Sequence, residues 1–362
     1  MISCTAWMIK EGVEDKLMER TVLSEDLINV ASYQLPYREM RGKTVLVTGA
    51  TGLIGVSLVR SLLAIGKIKV FALVRNEIKA RNIFSNISSD NLKIVVGDVT
   101  QRIDILEQVD YIFHCASITT SKTMIEKPVE TILTSVDGTK NILNLAKEKD
   151  CKSVVYISSM EMYGSFDGLD HEICETDLGY VDPLKVRSNY PESKRLCENM
   201  CVAYFSEYNV PVKIARLAQT FGAGILPGEN RVFAQFARSA IKGKDIVLHS
   251  KGQSEGNYCY LSDCTTGLLT ILLKGKNGEA YNVSNPDTHM RIVDMANMVA
   301  EKIADNKIKV VFDIPDDNRY GYAADTKMKI NSDKLQALGW QPKVGLEEAY
   351  RRMIKDMIEQ DI

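Results

Sequence analysis

The chain has 362 residues, of which 45 are Lys or Arg and 47 are Asp or Glu, so its formal net charge is only -2. A nearly neutral chain lacks the single-sign field that nucleic-acid binding requires, which argues against a nucleic-acid partner. Its content of 45% apolar and 25% charged residues is typical of a folded globular protein and excludes a mainly disordered chain. The longest apolar stretch, residues 44–63, contains Arg60 and three glycines, so we expect no membrane span.

The first 42 residues form an extension ahead of the first predicted strand. They contain no segment typical of a leader, and the eight cysteines of the chain form no CxxC pair. We therefore expect a cytoplasmic protein with reduced thiols and no metal site. Within the extension, residues 25–31 predict a helix with Ser24 as its N-cap. The pattern leaves the role of this extension open.

From residue 43 onward, apolar segments of strand length alternate with amphipathic segments of helix length. Strands are predicted at residues 44–47, 69–74, 92–96, 111–114, 154–157 and 212–217. These runs lack a polar alternate face, as expected of parallel strands covered on both sides. The sequence therefore predicts an α/β fold, a Rossmann-type doubly wound parallel sheet.

The domain boundaries follow from where this alternation ends. We predict a dinucleotide-binding domain over residues 43–221, with a return segment at about 258–285. A smaller substrate-binding region is expected over residues 222–257 and 286–362, with helices at 233–241, 293–303 and 346–358.

A glycine-rich segment follows the first predicted strand directly and leads into a helix. Such placement suits a turn that binds the pyrophosphate of a dinucleotide, because glycines let the backbone approach and the helix N-terminus attracts negative charge. The candidate cofactor-binding residues of this turn are Gly49, Thr51, Gly52, Leu53, Ile54 and Gly55. A tight structural turn is the competing interpretation of the glycines alone.

Two residues at the ends of later strands bear on the choice of cofactor. An NAD site usually carries Asp or Glu after the second strand, where this chain has Arg75, which could hold the 2′-phosphate of NADP or simply be solvated. Asp98, after the third strand, could accept a hydrogen bond from adenine or could stabilise its own turn. NAD is the predicted cofactor, with NADP as the alternative.

Only one of the fifteen tyrosines, Tyr190, is followed by a lysine four residues later, Lys194. Residues at this spacing share one face of a helix. The lysine ammonium is expected to lower the phenol pKa, so that Tyr190 acts as a base towards a hydroxyl while Lys194 holds the nicotinamide ribose. The strand at 154–157 ends in Ser158 and Ser159, which supply a hydroxyl to bond the reacting oxygen.

Five segments together resemble the extended short-chain dehydrogenase/reductase family, that is, the NAD-dependent epimerase/dehydratase enzymes acting on nucleotide sugars. They are residues 48–55, 114–117, 158–164, 190–194 and 215–222. The resemblance, which runs from about residue 43 to 349, implies that Ser159 rather than Ser158 is catalytic. It also implies cofactor contacts at Val99 and Ala116 and substrate contacts at Ser117 and Gln219.

Within that family, the sequence around Tyr190 most resembles UDP-glucuronate decarboxylases. Decarboxylases and 4,6-dehydratases carry a glutamate at the position of Glu161, and simple epimerases usually do not. The resemblance implies that Glu161 is a fourth catalytic residue. The alternative is a structural role, in which the glutamate at the end of the strand bonds nearby backbone. The neighbouring Met160 cannot donate a proton, which favours decarboxylation over 4,6-dehydration without excluding the latter. The predicted enzyme oxidises C4 of a nucleotide sugar and acts on the ketone.

One departure from the family pattern concerns the substrate diphosphate. Gly256 stands where relatives usually carry an arginine, which leaves Arg319 as the candidate phosphate partner. A 4-epimerase is the alternative activity, and a catalytically silent dinucleotide-binding protein is a third interpretation. The resemblance further implies a homodimer paired through the predicted helices at 129–149 and 190–207, with Val129, Ile132, Met200 and Tyr204 available for contact.

Overall fold

The structure is a computed structural model that describes residues 21–314 and 326–361. Its main sheet has seven strands in the order β10-β6-β5-β4-β1-β2-β3, all parallel. This arrangement confirms the predicted α/β class. The strands are β1 Thr44–Thr48, β2 Lys69–Val74, β3 Leu92–Val96, β4 Tyr111–His114, β5 Ser153–Ser159, β6 Val212–Leu217, β7 Gln219–Phe221, β8 Ile246–Leu248, β9 Glu255–Tyr260, β10 Ala280–Val283, β11 Asn285–Arg291 and β12 Val310–Phe312.

The helices pack on both faces of this sheet and around the region that follows it. None of those in the described residues has the length and apolarity needed to cross a bilayer. They are α1 Val22–Ala31, α2 Leu53–Ile65, α3 Glu77–Ile83, α4 Ser121–Glu126, α5 Pro128–Glu148, α6 Asn189–Tyr208, α7 Val232–Lys242, α8 Leu261–Lys274, α9 Ile292–Met298, α10 Asp333–Gln336 and α11 Leu346–Glu359.

The chain order of the strands reverses between β1 and β4, which lie side by side with Thr48 opposite His114. In an open parallel sheet, loops at such a reversal diverge to opposite faces and leave a crevice at the carboxyl ends of the strands. Each predicted candidate on β1, β5 and the loops after them therefore faces the same edge of the sheet. That edge is where a cofactor and a substrate can meet.

A second region continues from the main sheet and has its own core. β7 follows β6 after a single residue but pairs with β9, in a three-stranded sheet of order β11-β9-β7. The strand Gln219–Phe221 therefore belongs to the second sheet. There Phe221 stacks on Phe233 with ring centroids 4.8 Å apart, and the ring of Tyr350 lies 5.3 Å from it.

The N-terminal extension is part of the packed structure from Thr21 onward. Helix α1 begins at Val22 and is capped by the Thr21 hydroxyl, which accepts from the backbone N–H of Ser24 at 3.2 Å. The prediction of Ser24 as N-cap was therefore wrong, because Ser24 lies within the first turn, and a side chain one turn earlier caps it.

The extension also bridges both parts of the chain through one buried carboxylate. Asp26 accepts hydrogen bonds from the Tyr260 hydroxyl at 2.7 Å and from Arg352 of α11 at 2.9 Å. Burial outweighs these two contacts and raises the pKa of Asp26 above its usual value. Helix α1 thus ties the cofactor-side helix α2, on which it packs, to the second region.

Candidate active site

The glycine-rich turn brings the end of β1 against the loop after β4. Gly49 has a φ of +63°, and a Cβ there would lie 2.8 Å from the backbone nitrogen of Ala116. A Cβ on Gly55 would lie 2.3 Å from the carbonyl oxygen of Gly49. Both positions therefore require glycine. Gly52 caps α2, so the free N–H groups of Leu53 and Ile54 lie at a helix N-terminus next to Thr51, a setting that suits a phosphate.

Between these loops, a buried histidine connects the two central strands. The Nδ1 atom of His114 lies 2.8 Å from the Thr48 hydroxyl, and that hydroxyl accepts from the Ala116 N–H at 3.1 Å. Burial, assisted by the nearby charge of Lys194, lowers the pKa of His114 to about 3. The imidazole is therefore neutral at physiological pH, and it serves to fix the crevice rather than to exchange protons.

At the adenosine end of the crevice, the structure is informative about Arg75 and Asp98. Arg75 is exposed, immediately after β2. One carboxylate oxygen of Asp98 accepts from both the backbone N–H and the hydroxyl of Thr100 at 2.9 Å, so the side chain stabilises its own turn. Val99 is buried and packs on Gly138 of α5, where a Cβ would approach the valine methyl to 3.0 Å.

The structure places Ser159, Tyr190 and Lys194 together at the carboxyl end of β5. Ser159 is the last residue of β5, and Tyr190 and Lys194 lie one turn apart on α6. The Lys194 ammonium donates to the carbonyl oxygen of Ile157 at 2.7 Å and lies 5.6 Å from the centroid of the Tyr190 ring. The side chain of Ser159 is close enough to the Tyr190 hydroxyl to lower the phenol pKa.

The acid–base properties of this set differ from the prediction. Burial, reinforced by the carboxylate of Glu161, raises the pKa of Tyr190 to about 12 and outweighs the lowering effect of the Ser159 hydrogen bond. Burial also lowers the pKa of Lys194 to about 8. The expectation of a lowered phenol pKa was wrong for this structure, because burial is the largest influence on the phenol and raises its pKa.

Glu161 lies two residues beyond Ser159 in a short 3₁₀ turn, Met160–Tyr163. It forms an ion pair with Arg187, whose Nη2 atom is 2.8 Å from Oε2, and both side chains remain partly exposed. The Arg187 guanidinium lies 5.8 Å from the centre of the Tyr190 ring. The partner of the carboxylate is therefore a cation of the site, whereas the competing interpretation of Glu161 expected nearby backbone.

Two arginines near Tyr190 were not predicted as site residues. Arg187 lies three residues before Tyr190, in the segment that resembles UDP-glucuronate decarboxylases, and that resemblance was the one signal that could have identified it. Arg231 directly precedes α7. The electrostatic attraction between its positive charge and the Tyr190 phenolate lowers the phenol pKa. Its guanidinium pairs with Glu229 at 2.7 Å. No spacing in the sequence links Arg231 to Tyr190, because the two are brought together only by the fold.

The predicted substrate residues have different outcomes. The Ser117 hydroxyl is buried and has no hydrogen-bond partner in the described part of the chain, so it remains available to a ligand. Gln219 is half-buried on β7, opposite Tyr258 of β9. Arg319 lies outside the described residues. At Gly256, the nearest atom to an added Cβ would be the carbonyl oxygen of Met328 at 3.8 Å, so this position has room for a side chain.

Comparisons with known proteins agree with this geometry. The sequence profile of the NAD dependent epimerase/dehydratase family matches residues 45–284. The chain is 34% identical to UDP-glucuronic acid decarboxylase 6 of Arabidopsis thaliana, with 86% of this chain and 88% of that protein aligned. It is 30% identical to UDP-glucuronic acid decarboxylase 1 of Xenopus tropicalis, with 86% and 71% aligned.

Solved structures extend the likeness to the whole fold. UDP-glucose 4-epimerase of Thermotoga maritima superposes with a TM-score of 0.76 at 21% identity, covering 88% of this chain and 100% of that one. The dTDP-glucose 4,6-dehydratase of Bacillus anthracis superposes with a TM-score of 0.71 at 21% identity, covering 88% and 97%. At this level of identity, the likeness concerns the fold.

Proposed function

The chain belongs to the NAD-dependent epimerase/dehydratase family, and from its site we propose that it is a nucleotide-sugar decarboxylase acting on UDP-glucuronate or a closely similar sugar. The observation that carries this proposal is the pairing of Glu161 with Arg187 next to Tyr190. Relatives at 30–34% identity are UDP-glucuronic acid decarboxylases, which supports the same activity.

The cofactor crevice supports NAD as the bound group. Gly49 and Gly55 let the backbone of the turn pack closely against itself and against the loop after β4, and helix α2 presents its N-terminus there. Residues 49–55, Val99 and Ala116 would hold the dinucleotide, and Lys194 the nicotinamide ribose. When bound, NAD supplies a hydride acceptor. Arg75 is the residue that would favour NADP, and its exposure leaves it free to be solvated instead.

Three residues would handle the C4 hydroxyl of the sugar. Tyr190 takes its proton, and Ser159, whose side chain lies close enough to influence the Tyr190 phenol, bonds the same oxygen. For this role the phenol pKa must fall from about 12, so the positive charge of Lys194 and of the bound cofactor must act on it. Oxidation at C4 makes the C5 carboxylate a β-keto acid, which loses carbon dioxide without a strong acid at the site.

Arg187 would distinguish a uronic acid from a neutral sugar. Its guanidinium is held by Glu161 and partly exposed, so it can meet a substrate carboxylate in the bidentate geometry that arginine favours. Met160, next to Glu161, offers no proton for a departing C6 hydroxyl. The pair therefore suits decarboxylation better than 4,6-dehydration.

A 4-epimerase is the second candidate, and one observation favours it. The carboxylate of Glu161 is engaged by Arg187, so it can serve as a structural ion pair with no part in a second proton transfer. An epimerase returns the hydride to the other face of C4 and needs only Ser159, Tyr190 and Lys194.

The two exposed helices beside the site support a homodimer. Apolar side chains of α5 and α6 are exposed, with Val129 at 65% and Leu196 at 49%. Met200 and Tyr204 are half-buried against the core of their own subunit, where the Tyr204 hydroxyl donates to Asn144 at 2.8 Å, so packing within one subunit explains them as well as an interface does. A second copy that pairs its own α5 and α6 with these would cover Val129, Ile132 and Leu133.

The test is incubation of the purified protein with UDP-glucuronate, UDP-glucose, UDP-N-acetylglucosamine and dTDP-glucose, followed by mass spectrometry and carbon dioxide detection. We expect UDP-glucuronate to lose 44 mass units, the mass of carbon dioxide, and the others to be unchanged. An isomer of unchanged mass would assign the protein as an epimerase. Loss of water from dTDP-glucose would assign it as a dehydratase.

A further inference from the structure

Behind the candidate site lies a buried ion pair that none of the predicted residues includes. Arg216 of β6 and Glu198 of α6 have side chains that are each 8% exposed. The guanidinium Nη2 lies 2.7 Å from Oε2 of Glu198, and Nε donates to the same carboxylate at 3.1 and 3.2 Å. Removing two charges from water costs free energy. Their mutual attraction offsets this cost only if the two groups are well aligned and their remaining hydrogen-bonding atoms have partners.

Glu198 connects two elements that carry catalytic candidates. It lies on α6 one turn after Lys194, and its Oε1 accepts from the hydroxyl of Ser158 at 2.5 Å. Ser158 directly precedes Ser159 at the end of β5. One carboxylate therefore fixes the strand that carries Ser159 against the helix that carries Tyr190 and Lys194.

Arg216 fixes the other end of the same segment. Its Nη1 donates to the Tyr163 hydroxyl at 3.1 Å and to the Glu175 carbonyl oxygen at 2.8 Å. The Tyr163 hydroxyl in turn donates to Oδ1 of Asn282 at 2.6 Å. Tyr163 is fully buried and closes the 3₁₀ turn that carries Glu161. The segment of residues 158–163 is thus held at both ends by a single ion pair.

The charge on Arg216 is well maintained inside the protein. Burial disfavours the charge on Arg216, but the contacts with Glu198 and Tyr163 are stronger and raise its pKa above the usual value. Hydrogen bonds between charged groups are directional and fix the relative position of two elements, whereas apolar contacts allow the elements to shift against each other. A pair of this kind therefore suits a place where the relative position of two elements must be fixed.

We propose that Glu198 and Arg216 are positioning residues, which hold Ser159 and Glu161 in register with Tyr190 and Lys194 through Ser158 and Tyr163. Their effect falls on the rate of the chemical steps rather than on substrate affinity, since neither residue lies in the crevice. This inference goes beyond the proposed function and uses that function only to choose a substrate.

The test removes the two hydroxyl links and leaves the ion pair intact. Replacing Glu198 or Arg216 would strand a buried charge and could unfold the protein. The variants Ser158→Ala and Tyr163→Phe avoid this, because each loses a single oxygen. We expect kcat to fall about tenfold or more in each variant while KM stays within about twofold of the parent, because small misplacements of reacting groups slow the chemistry.

A matched control lies at the opposite end of the same strand. Ser153 is also buried on β5, and its hydroxyl donates to the carbonyl oxygen of Leu272 at 2.7 Å, far from Ser159 along the strand. Ser153→Ala should cost comparable stability and leave kcat unchanged. Parental kcat in both Ser158→Ala and Tyr163→Phe, or a change in KM alone, would overturn the proposal.

A second measurement needs no substrate and separates this proposal from the proposed function. Hydrogen exchange read by mass spectrometry should show faster exchange of the amides of residues 157–164 in Ser158→Ala, with the amides of β1 unchanged. A uniform increase, or none, would contradict the positioning role. If UDP-glucuronate is not consumed by the parent but this local change is seen, the function fails and the positioning role stands.

Discussion

Arg187 holds the carboxylate of Glu161 from one side, with its Nη2 atom 2.8 Å from Oε2 and 3.2 Å from Oε1. The pair joins the turn after β5 to the turn before α6, close to Ser159 and Tyr190. Under the proposed function, what this pair does to the substrate decides between decarboxylation and 4-epimerisation.

The variant Glu161→Gln tests whether the carboxylate works after the first oxidation. Ser159, Tyr190 and Lys194 remain, so substrate should still reduce the bound cofactor, and absorbance of reduced nicotinamide should appear and persist without product. Full product formation would show that the carboxylate is not needed after the first oxidation, because an amide would then replace it without loss, and would remove Glu161 as an argument against 4-epimerisation. Glu192→Gln is the control, since that carboxylate lies near Tyr190 on α6 and pairs with Arg195 at 3.9 Å instead.

The variant Tyr190→Phe should abolish turnover and leave the fold intact. The ring is buried and keeps its packing, whereas the phenol oxygen that accepts the proton is lost. Acid–base catalysis contributes roughly 10²- to 10⁴-fold, and turnover should fall by that factor. The measurement is the steady-state rate with the nucleotide sugar that the parent converts in the panel proposed above, together with the thermal unfolding midpoint of parent and variant. Activity within a few-fold of the parent would exclude Tyr190 as the base.

The variant Arg75→Ala addresses cofactor choice. If the exposed guanidinium grips a 2′-phosphate, its loss removes a charge-assisted hydrogen bond, and NADP affinity should fall by about 10- to 100-fold while NAD affinity is unchanged. Titration calorimetry with both dinucleotides measures the two affinities. Equal weakening of both, or a parent that binds NAD with no response to the variant, would leave Arg75 as a solvated side chain.

The double variant Val129→Glu with Leu133→Glu tests the homodimer. The two positions are one turn apart on α5, and both side chains are exposed, at 65% and 48%. Burying two unpaired carboxylates in an apolar interface would cost too much free energy for the dimer to form. We therefore expect a dimer for the parent and a monomer for the variant by light scattering at micromolar concentration. Leu106→Glu, which changes a 96% exposed leucine elsewhere, is the control. A monomeric parent would refute the interface.

Asp263 predicts a specific pH dependence of stability. Burial raises its pKa from 3.8 to about 6, despite hydrogen bonds from the N–H groups of Lys343 and Val344. The folded protein therefore binds this proton more tightly than the unfolded chain. Its contribution to stability is fully present below the unfolded pKa and is lost as pH rises through the folded pKa.

The expected loss from this group between pH 4 and pH 7 is about 2–3 kcal/mol of unfolding free energy. Asp263→Asn lacks the titration, so the stability of the parent relative to the variant should be greater at pH 4 than at pH 7 by that amount. Urea unfolding at the two pH values measures the difference. An offset that is independent of pH would contradict the role of Asp263.

The sequence predicted those parts of the fold that apolar patterning determines. The strands Lys69–Val74 and Tyr111–His114 were found where they were predicted, because a buried parallel strand is apolar throughout. The strand Ala280–Val283 was not among the predicted strands, because the polar residue Asn282 interrupts its apolar pattern. In the structure Asn282 is buried, and its side chain donates hydrogen bonds to residues that lie far along the chain.

The site followed the same division. Ser159, Tyr190 and Lys194 could be found from spacing and resemblance, as could the glycines of the turn. Arg187 and Arg216 could not, because their partners Glu161 and Glu198 lie 26 and 18 residues away along the chain, and only the packing of α6 on β5 and β6 pairs them. The phenol pKa was also mispredicted, because desolvation depends on burial rather than on spacing.

The contact of Asp26 with Tyr260 and Arg352 has a practical consequence for any shortened version of this protein. The family profile begins at residue 45, which invites truncation there. Such a chain would keep every candidate site residue, yet it would expose the apolar flank of α2 and leave Arg352 without its buried carboxylate. The packed structure therefore extends beyond the region that the family profile matches, and we expect a chain cut at residue 45 to unfold more readily than one that keeps residues from Thr21 onward.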